Sequence, residues 1–559
     1  MPSSSSLRRV VFVACAILSS YAFAENAAGR RLPLLLDATL DELRAGLDNG
    51  DFTSVDLVDA YLRRIGEVNP TLHAVNEVNS EARHVAAKRD EERRTRTGPC
   101  EHRCPPLHGI PILLKDSIAT NDTMRTTAGS FALFDAKVAE DSTVVAKLRQ
   151  AGAVLLGKTN LSQWCGLRSA NALYGWSSVG GQTVGAYSQG QNPCGSSSGS
   201  AVAASIGLAF AALGTQTFGS IIMPASRNNI VGIKPTLGLT SRYNVIMGSE
   251  RRDGIGPMAR TVRDAAHVLS AIAGPDDKDQ YTSAFPLPQV PNYADACDGT
   301  ALRGKRIGVL RPAFRSAELA GPFDAALQTM KDAGAELVNV TKLAAGVLES
   351  RVYLGYNEVA IMSDFSSNLQ EYLARLVSNP HNITSLEDLH AFTQADGREN
   401  VTDSAYWDDA LSEGWSKTQP EVIEIVKNLT DVARQGLLDA FKGHENEGKL
   451  DALVTDSDGS YQVADMAGWP VMTVPLACTS MAFANEIDSE TGTMNMTGPN
   501  MPFGISFVGE PWSEESLIGM AYAFEQRTKA REKVKPWASS TPKTELEHVV
   551  GKPANVTRS

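Results

Sequence analysis

Short β-rich runs separated by helical stretches constrain this chain more than any other feature. Leu107 to Leu114, Ala153 to Gly157, Arg306 to Leu310, Glu336 to Val340, Asp451 to Thr455 and Gly504 to Val508 each read as a strand. Helix-period segments lie between several of them, from an Asp141 cap through Ala151 and from Pro322 to Ala333. Apolar strands of this kind are buried on both faces, and the helices between them carry the chain back over the sheet. The pattern predicts an α/β fold: a large mixed, mainly parallel sheet covered by helices on both faces.

Before the first of these strands the chain is helical. Thr39-Leu40-Asp41-Glu42 has capping-box spacing. A second helix starts near Thr53, with Val55, Val58, Leu62 and Ile65 on one face, and Asn69-Pro70 is expected to stop it. A short strand from His73 to Val78 and a charged helix to about Arg94 follow. Residues 343–447 are helix-rich and polar, and read as a peripheral helical region that forms one wall of a substrate site. No linker composition divides residues 25–540, which read as one domain; the polar tail 541–559 is expected to fray.

The formal net charge of the 559 residues is -12, which argues against nucleic acid or an anionic membrane as the main partner. Arg8-Arg9, the apolar run Val10 to Leu18 and Ala22-Phe23-Ala24 read as a secretory signal peptide over 1–24, cleaved after Ala24. The mature protein is then extracellular, with no membrane anchor. Asn121, Asn160, Asn339, Asn382, Asn400, Asn428, Asn495 and Asn555 begin N-x-S/T sequons, consistent with N-glycosylation, although Asn160 adjoins a stretch expected to be buried. After Cys15 leaves with the signal, Cys100 and Cys104 can close a local bridge in an oxidising compartment. His102 alone does not complete a zinc site with them, and neither metal nor cofactor is expected.

The chemistry concentrates in two loops, Cys194-Gly195-Ser196-Ser197-Ser198-Gly199-Ser200 and Gly214-Thr215-Gln216-Thr217-Phe218-Gly219-Ser220-Ile221. Gly-rich loops bring backbone N–H groups close to a ligand, and serines there become nucleophiles when a base is near. Lys115 ends the apolar run Pro111-Ile112-Leu113-Leu114, where desolvation would leave a neutral amine. A competing reading takes Gly195-Ser196-Ser197-Ser198-Gly199 as the G-x-S-x-G elbow of an α/β-hydrolase esterase. That requires a strand just before it and a catalytic histidine, whereas Ser188 to Pro193 reads as a loop and His267, His381, His390, His444 and His548 stand in helical or polar surroundings.

The ordered series of motifs resembles the amidase signature family. Gly109-Ile110-Pro111-Ile112-Leu113-Leu114-Lys115-Asp116, Gly157-Lys158-Thr159-Asn160-Leu161 and Gly195 through Ser200 match its segments. So do Gly232-Ile233-Lys234-Pro235-Thr236, Gly256-Pro257-Met258-Ala259-Arg260-Thr261, Ala467-Gly468-Trp469-Pro470 and Pro502-Phe503-Gly504-Ile505. The resemblance spans roughly Leu36 to Arg531 and is similar in its serine loop to the peptide amidase and fungal secreted amidase branch. It implies Ser220 as nucleophile, Lys115 as base and Ser196, 24 positions before Ser220, as a bridging serine behind a cis Gly195–Ser196 bond. The backbone N–H groups of Thr217, Phe218, Gly219 and Ser220 would form the oxyanion hole. Ser197 and Ser198 would supply supporting hydrogen bonds, and Asp116 would orient the lysine region.

Three positions depart from the family pattern. Gln216 stands where an acid is common, Phe218 where Gly or Asp is common, and Ile222 where many members have Arg. Gln216 and Phe218 therefore bear on substrate binding or support, and Phe218 either narrows the acyl pocket or silences the loop. The reading is a secreted amidase that cleaves carboxamide C–N bonds through a Ser-cisSer-Lys triad and an acyl-enzyme, on small linear or C-terminal peptide amides. The alternatives are a silenced amidase-fold binding protein, the esterase above, and a component of a tRNA-dependent amidotransferase, which the signal segment and acidic charge oppose.

Overall fold

The computed structural model describes residues 23–25 and 31–552, apart from 172, 315, 341–350, 401–402, 443–447, 459–460 and 488–491; for 23–25, 31 and 351–354 it describes the backbone only. The expected signal segment lies outside the described residues except for Phe23 and Ala24, whose backbone, with Glu25, pairs antiparallel with Arg31–Pro33. The sequon at Asn555 also lies outside them.

Eleven strands form the central sheet. In chain order they are β1 (Val75–Val78), β2 (Pro111–Lys115), β3 (Val154–Thr159), β4 (Ala211–Gln216), β5 (Val231–Lys234) and β6 (Gly254–Ala259), then β7 (Arg306–Val309), β8 (Glu336–Asn339), β9 (Ala452–Asp456), β10 (Val471–Cys478) and β11 (Pro502–Val508). Across the sheet they run β8-β7-β9-β11-β10-β5-β6-β4-β2-β3-β1.

The large mixed sheet is as expected, but it is not mainly parallel. Four pairings, β8–β7, β7–β9, β4–β2 and β2–β3, are parallel and the other six antiparallel. The antiparallel pairs come largely from β4, β5, β6 and β10; β4 and β6 are rich in Gly, Ala and Pro and carry little strand propensity, whereas β5 and β10 carry Val, Ile or Thr. Gly256 shows why such residues sit in mid-sheet: a Cβ there would collide with the Ile233 carbonyl.

Other boundaries also moved. The second helix runs Ser54–Leu72, through Pro70, and ends at His73 in the left-handed region. Pro70 falls in the last turn, where a missing N–H removes only one bond. Asn69 does mark the exit, because its carboxamide oxygen accepts from Ala74 and Val75 N–H beyond the helix end. Ser142, not Asp141, stands at the N-cap position of Thr143–Gln150, and its hydroxyl makes no capping hydrogen bond among the described residues. Residues 541–552 do not fray: Arg64, fully buried, donates to Glu545 (2.9 Å) and to the Thr544 carbonyl (2.6 Å), and Leu546 enters the core.

Helices Arg351–Leu373, Leu386–Ala395, Ala405–Glu413 and Pro420–Lys442 occupy the 343–447 region. Several of them share a second apolar cluster in which Phe365 and Trp407 stack and Trp164 meets both edge-on. That cluster fixes Trp164, beside the site described next. No helix among the described residues is long and apolar enough to cross a membrane.

Candidate active site

Strand β2 ends on Lys115, and every residue of the strand is buried. The lysine side chain is fully shielded. Its Nζ lies 2.7 Å from Ser196 Oγ, 2.9 Å from Thr215 Oγ1 and 3.3 Å from the Thr215 carbonyl. Burial is the largest influence on the amine and holds it below the ordinary lysine range, against opposing pulls from Cys165 and Asp253. Asp116 turns away: it accepts from Thr127 N–H (3.0 Å) and hydroxyl and from Asn76, so it anchors the loop after β2.

The peptide bond Gly195–Ser196 is cis. Ser196 opens a loop that enters the helix Ser198–Ser205, every residue of which is buried. Gly199 lets that helix pack tightly, since a Cβ would strike the Ala74 carbonyl. Ser198 Oγ donates to the Cys194 carbonyl (2.5 Å), and Ser197 Oγ donates to the Thr215 carbonyl (3.2 Å) while accepting from Thr215 N–H (3.3 Å). The Ser197 N–H donates to the Ser220 carbonyl (3.1 Å), which seats the two serine loops against each other.

Strand β4 carries the chain to the second loop. Gln216 is the hub of this loop. Its Oε1 accepts from Ile221 and Ile222 N–H (2.7 and 2.9 Å), and its Nε2 donates to both oxygens of Asp465 (2.8 and 2.9 Å). Asp465 also accepts the Gly219 N–H at 2.9 Å. This corrects the expectation for Gly219, whose N–H is already engaged. Thr217, Phe218 and Ser220 are the backbone donors of the expected set that have no protein acceptor among the described residues. Phe218 packs its half-buried ring against the main core. Ser220 keeps a small exposure, 8%, and its hydroxyl makes no hydrogen bond among the described residues.

Lys115, Ser196 and Ser220 are thus brought to one place, with the Lys115–Ser196 contact closed and the Ser220 hydroxyl unbonded among the described residues. The elbow reading is not supported, because the segment before Ser196 is loop and no histidine bonds to either serine among the described residues. His267 sits within the helix Val262–Ile272 and His390 pairs with Asp408. Cys100 and Cys104 form the expected disulfide. They gather with His108 in a cluster of metal-ligand type, but their sulfurs are bonded to each other.

Three partners were not read from the sequence. Thr215 holds the lysine from β4. Asp465, in the helix Gln462–Ala467, lies 246 positions from Gly219. Tyr461 directs a buried hydroxyl, without a hydrogen-bond partner among the described residues, against Gly219, 2.8 Å from where a Cβ would stand. Only the nearby Ala467-Gly468-Trp469-Pro470 motif hinted that this distant segment returns to the site.

Known proteins share this arrangement of chain. The amidase family profile matches residues 56–518. A candidate amidase of Arthroderma benhamiae is 43% identical over 549 residues, covering 93% of this chain and 90% of that protein. Among solved structures, the native peptide amidase from Stenotrophomonas maltophilia superposes with a TM-score of 0.79 at 37% identity, covering 91% of this chain and 99% of that one. An amidase family protein from Bacillus anthracis superposes with a TM-score of 0.78 at 30% identity, covering 90% and 93%. With a family match over most of its length and a similar fold throughout, the chain belongs to the amidase signature family of amide hydrolases.

Proposed function

We propose that the protein hydrolyses small linear amides, C-terminal peptide amides among them, with Ser220 as nucleophile, Ser196 as relay and Lys115 as base. The 2.7 Å contact between Nζ of the fully buried Lys115 and Ser196 Oγ carries this reading. A neutral amine has two N–H bonds and one lone pair. If the N–H bonds go to Thr215 Oγ1 and the Thr215 carbonyl, the lone pair is left for the Ser196 hydroxyl. Depressing the lysine pKa favours that neutral form.

The reaction then follows. Ser220 Oγ attacks the amide carbon, and its proton passes to Ser196 as the Ser196 proton moves to Lys115 Nζ. The oxyanion meets the free N–H groups of Thr217, Phe218 and Ser220, each worth about 2.7–4 kcal/mol in the transition state. Lys115 returns its proton through Ser196 to the leaving nitrogen, the C–N bond breaks, and an acyl-Ser220 ester remains. Water, activated by the same relay, hydrolyses the ester.

Peptide amides are favoured because two similar solved structures are of a peptide amidase, one of them bound to the competitive inhibitor chymostatin. Gln216 supports activity, since it seats the Ser220 loop through four hydrogen bonds despite replacing an acid. Secretion with N-glycosylation is part of the proposal and rests on the segment 1–24 and the sequons. Asn121, Asn339, Asn382, Asn400 and Asn428 are exposed, whereas Asn160 is fully buried and unsuited to a glycan. The test is ammonia or amine release from a panel of peptide amides, aryl amides, fatty acid amides and matching esters. Peptide amides with the highest kcat/KM support the substrate class, and preference for another group overturns it.

A further inference from the structure

A cleft of about 680 Å³ is lined by no residue of the two serine loops. Tyr281, Trp469 and Trp512 give it aromatic walls, and Leu438 adds an exposed apolar side chain. Arg434, one helical turn before Leu438 on Pro420–Lys442, is its only charged residue among the described residues. Among the described residues that guanidinium makes no hydrogen bond or ion pair, and no carboxylate lines the cleft. The Trp512 backbone is held in the left-handed region (φ 68°), rare for a bulky residue, with its N–H donating to Thr236 Oγ1 at 2.9 Å. The volume lies in the range of small-molecule sites, which combine apolar walls with a few polar anchors.

The cleft floor connects to the nucleophile loop by a continuous polar chain. The Trp469 carbonyl accepts from buried Lys234 Nζ at 2.9 Å. Lys234 Nζ stands 3.8 Å from Asp465, and Asp465 holds Gln216 and the Gly219 N–H. Gly468 and Ala467, also on the floor, end the short helix that carries Asp465.

We infer that this cleft is an effector site for an aromatic carboxylate, and that occupancy alters turnover by moving the Trp469–Lys234–Asp465–Gly219 chain. The aromatic walls take the ring by apolar burial and stacking. Arg434, with Gln280 also lining the cleft, takes the carboxylate. The coupling half rests on the proposed hydrolytic site, while the binding half does not.

Calorimetric titration of the full chain with indole-3-propionate and with its carboxamide tests the binding half. The expected result is saturable one-to-one binding of the acid, at least tenfold tighter than the amide. That preference is lost in Arg434→Ala, binding is weakened in Trp512→Ala, and both ligands bind unchanged when Ser220 is blocked by a fluorophosphonate. No saturable binding, an acid preference that survives Arg434→Ala, or competition with the fluorophosphonate overturns the site. For coupling, indole-3-propionate should change kcat at least twofold in the wild type and not in Arg434→Ala. An unchanged kcat at saturation overturns the effector role, and an inactive wild type counts against the hydrolytic reading while the titration still decides the site.

Discussion

Asp465 accepts the Gly219 N–H at 2.9 Å, so a helix far along the chain fixes the residue directly before Ser220. The same carboxylate receives both Gln216 Nε2 contacts. Replacing it leaves buried donors unpaired, which costs about 1–3 kcal/mol. Asp465→Ala is expected to lower urea stability by that amount and to reduce kcat tenfold or more with a smaller change in KM. Steady-state kinetics and urea unfolding of the same preparations check both.

Lys115 must be neutral to accept a proton, and burial holds its pKa below the ordinary lysine value of about 10.4. Hydrolysis should therefore rise with pH through that depressed pKa to a plateau, and a kcat/KM profile flat from pH 5 to 10 would count against the assignment. A lysine depressed on folding contributes stability above its unfolded pKa and loses it as pH falls through the folded one. The urea midpoint of Lys115→Met should accordingly vary less between pH 7 and 10 than that of the wild type.

Phe218 keeps a backbone donor while its ring packs on the core beside the nucleophile. Phe218→Ala should leave kcat on the smallest amides within a few-fold. It should shift the preference between bulky and small acyl groups by about tenfold, the scale on which apolar pockets discriminate. Relative kcat/KM on paired substrates measures this.

The C-terminal segment is a structural clasp. Arg64 is fully buried, and Glu545 meets it at 2.9 Å while also accepting the Leu35 N–H. Removing one partner of a buried pair is strongly destabilising, and with Glu545 still partly in contact with water about 3 kcal/mol is expected for Glu545→Ala. Urea unfolding should show it with hydrolysis unchanged at 25 °C.

Lys115, Ser196 and Ser220 were legible because each stands in a local motif whose order and spacing are visible in one dimension. Asp465 and Thr215 were not, since their roles depend on pairings between distant segments. The parallel strands β2, β3 and β7 announced themselves by apolar, β-branched or leucine-rich runs. Strands β4 and β6, which pair antiparallel with each other, did not, because their Ala, Gly and Pro content serves close packing rather than strand propensity. Gln216 looked like a departure, yet its carboxamide both donates and accepts, which suits it to bridge Asp465 and the Ile221 and Ile222 N–H groups. The polar tail misled because one buried arginine outweighs its composition.

The most direct measurement is fluorophosphonate labelling followed by intact mass and peptide mapping, on the wild type, Ser220→Ala, Ser196→Ala and Lys115→Ala. The account predicts a single adduct on Ser220 in the wild type and none in Ser220→Ala. In Ser196→Ala and Lys115→Ala labelling should slow by about 10²–10⁴-fold, the usual contribution of a positioned general base. A wild type that does not label, an adduct that persists in Ser220→Ala, or wild-type labelling rates in Lys115→Ala would contradict it.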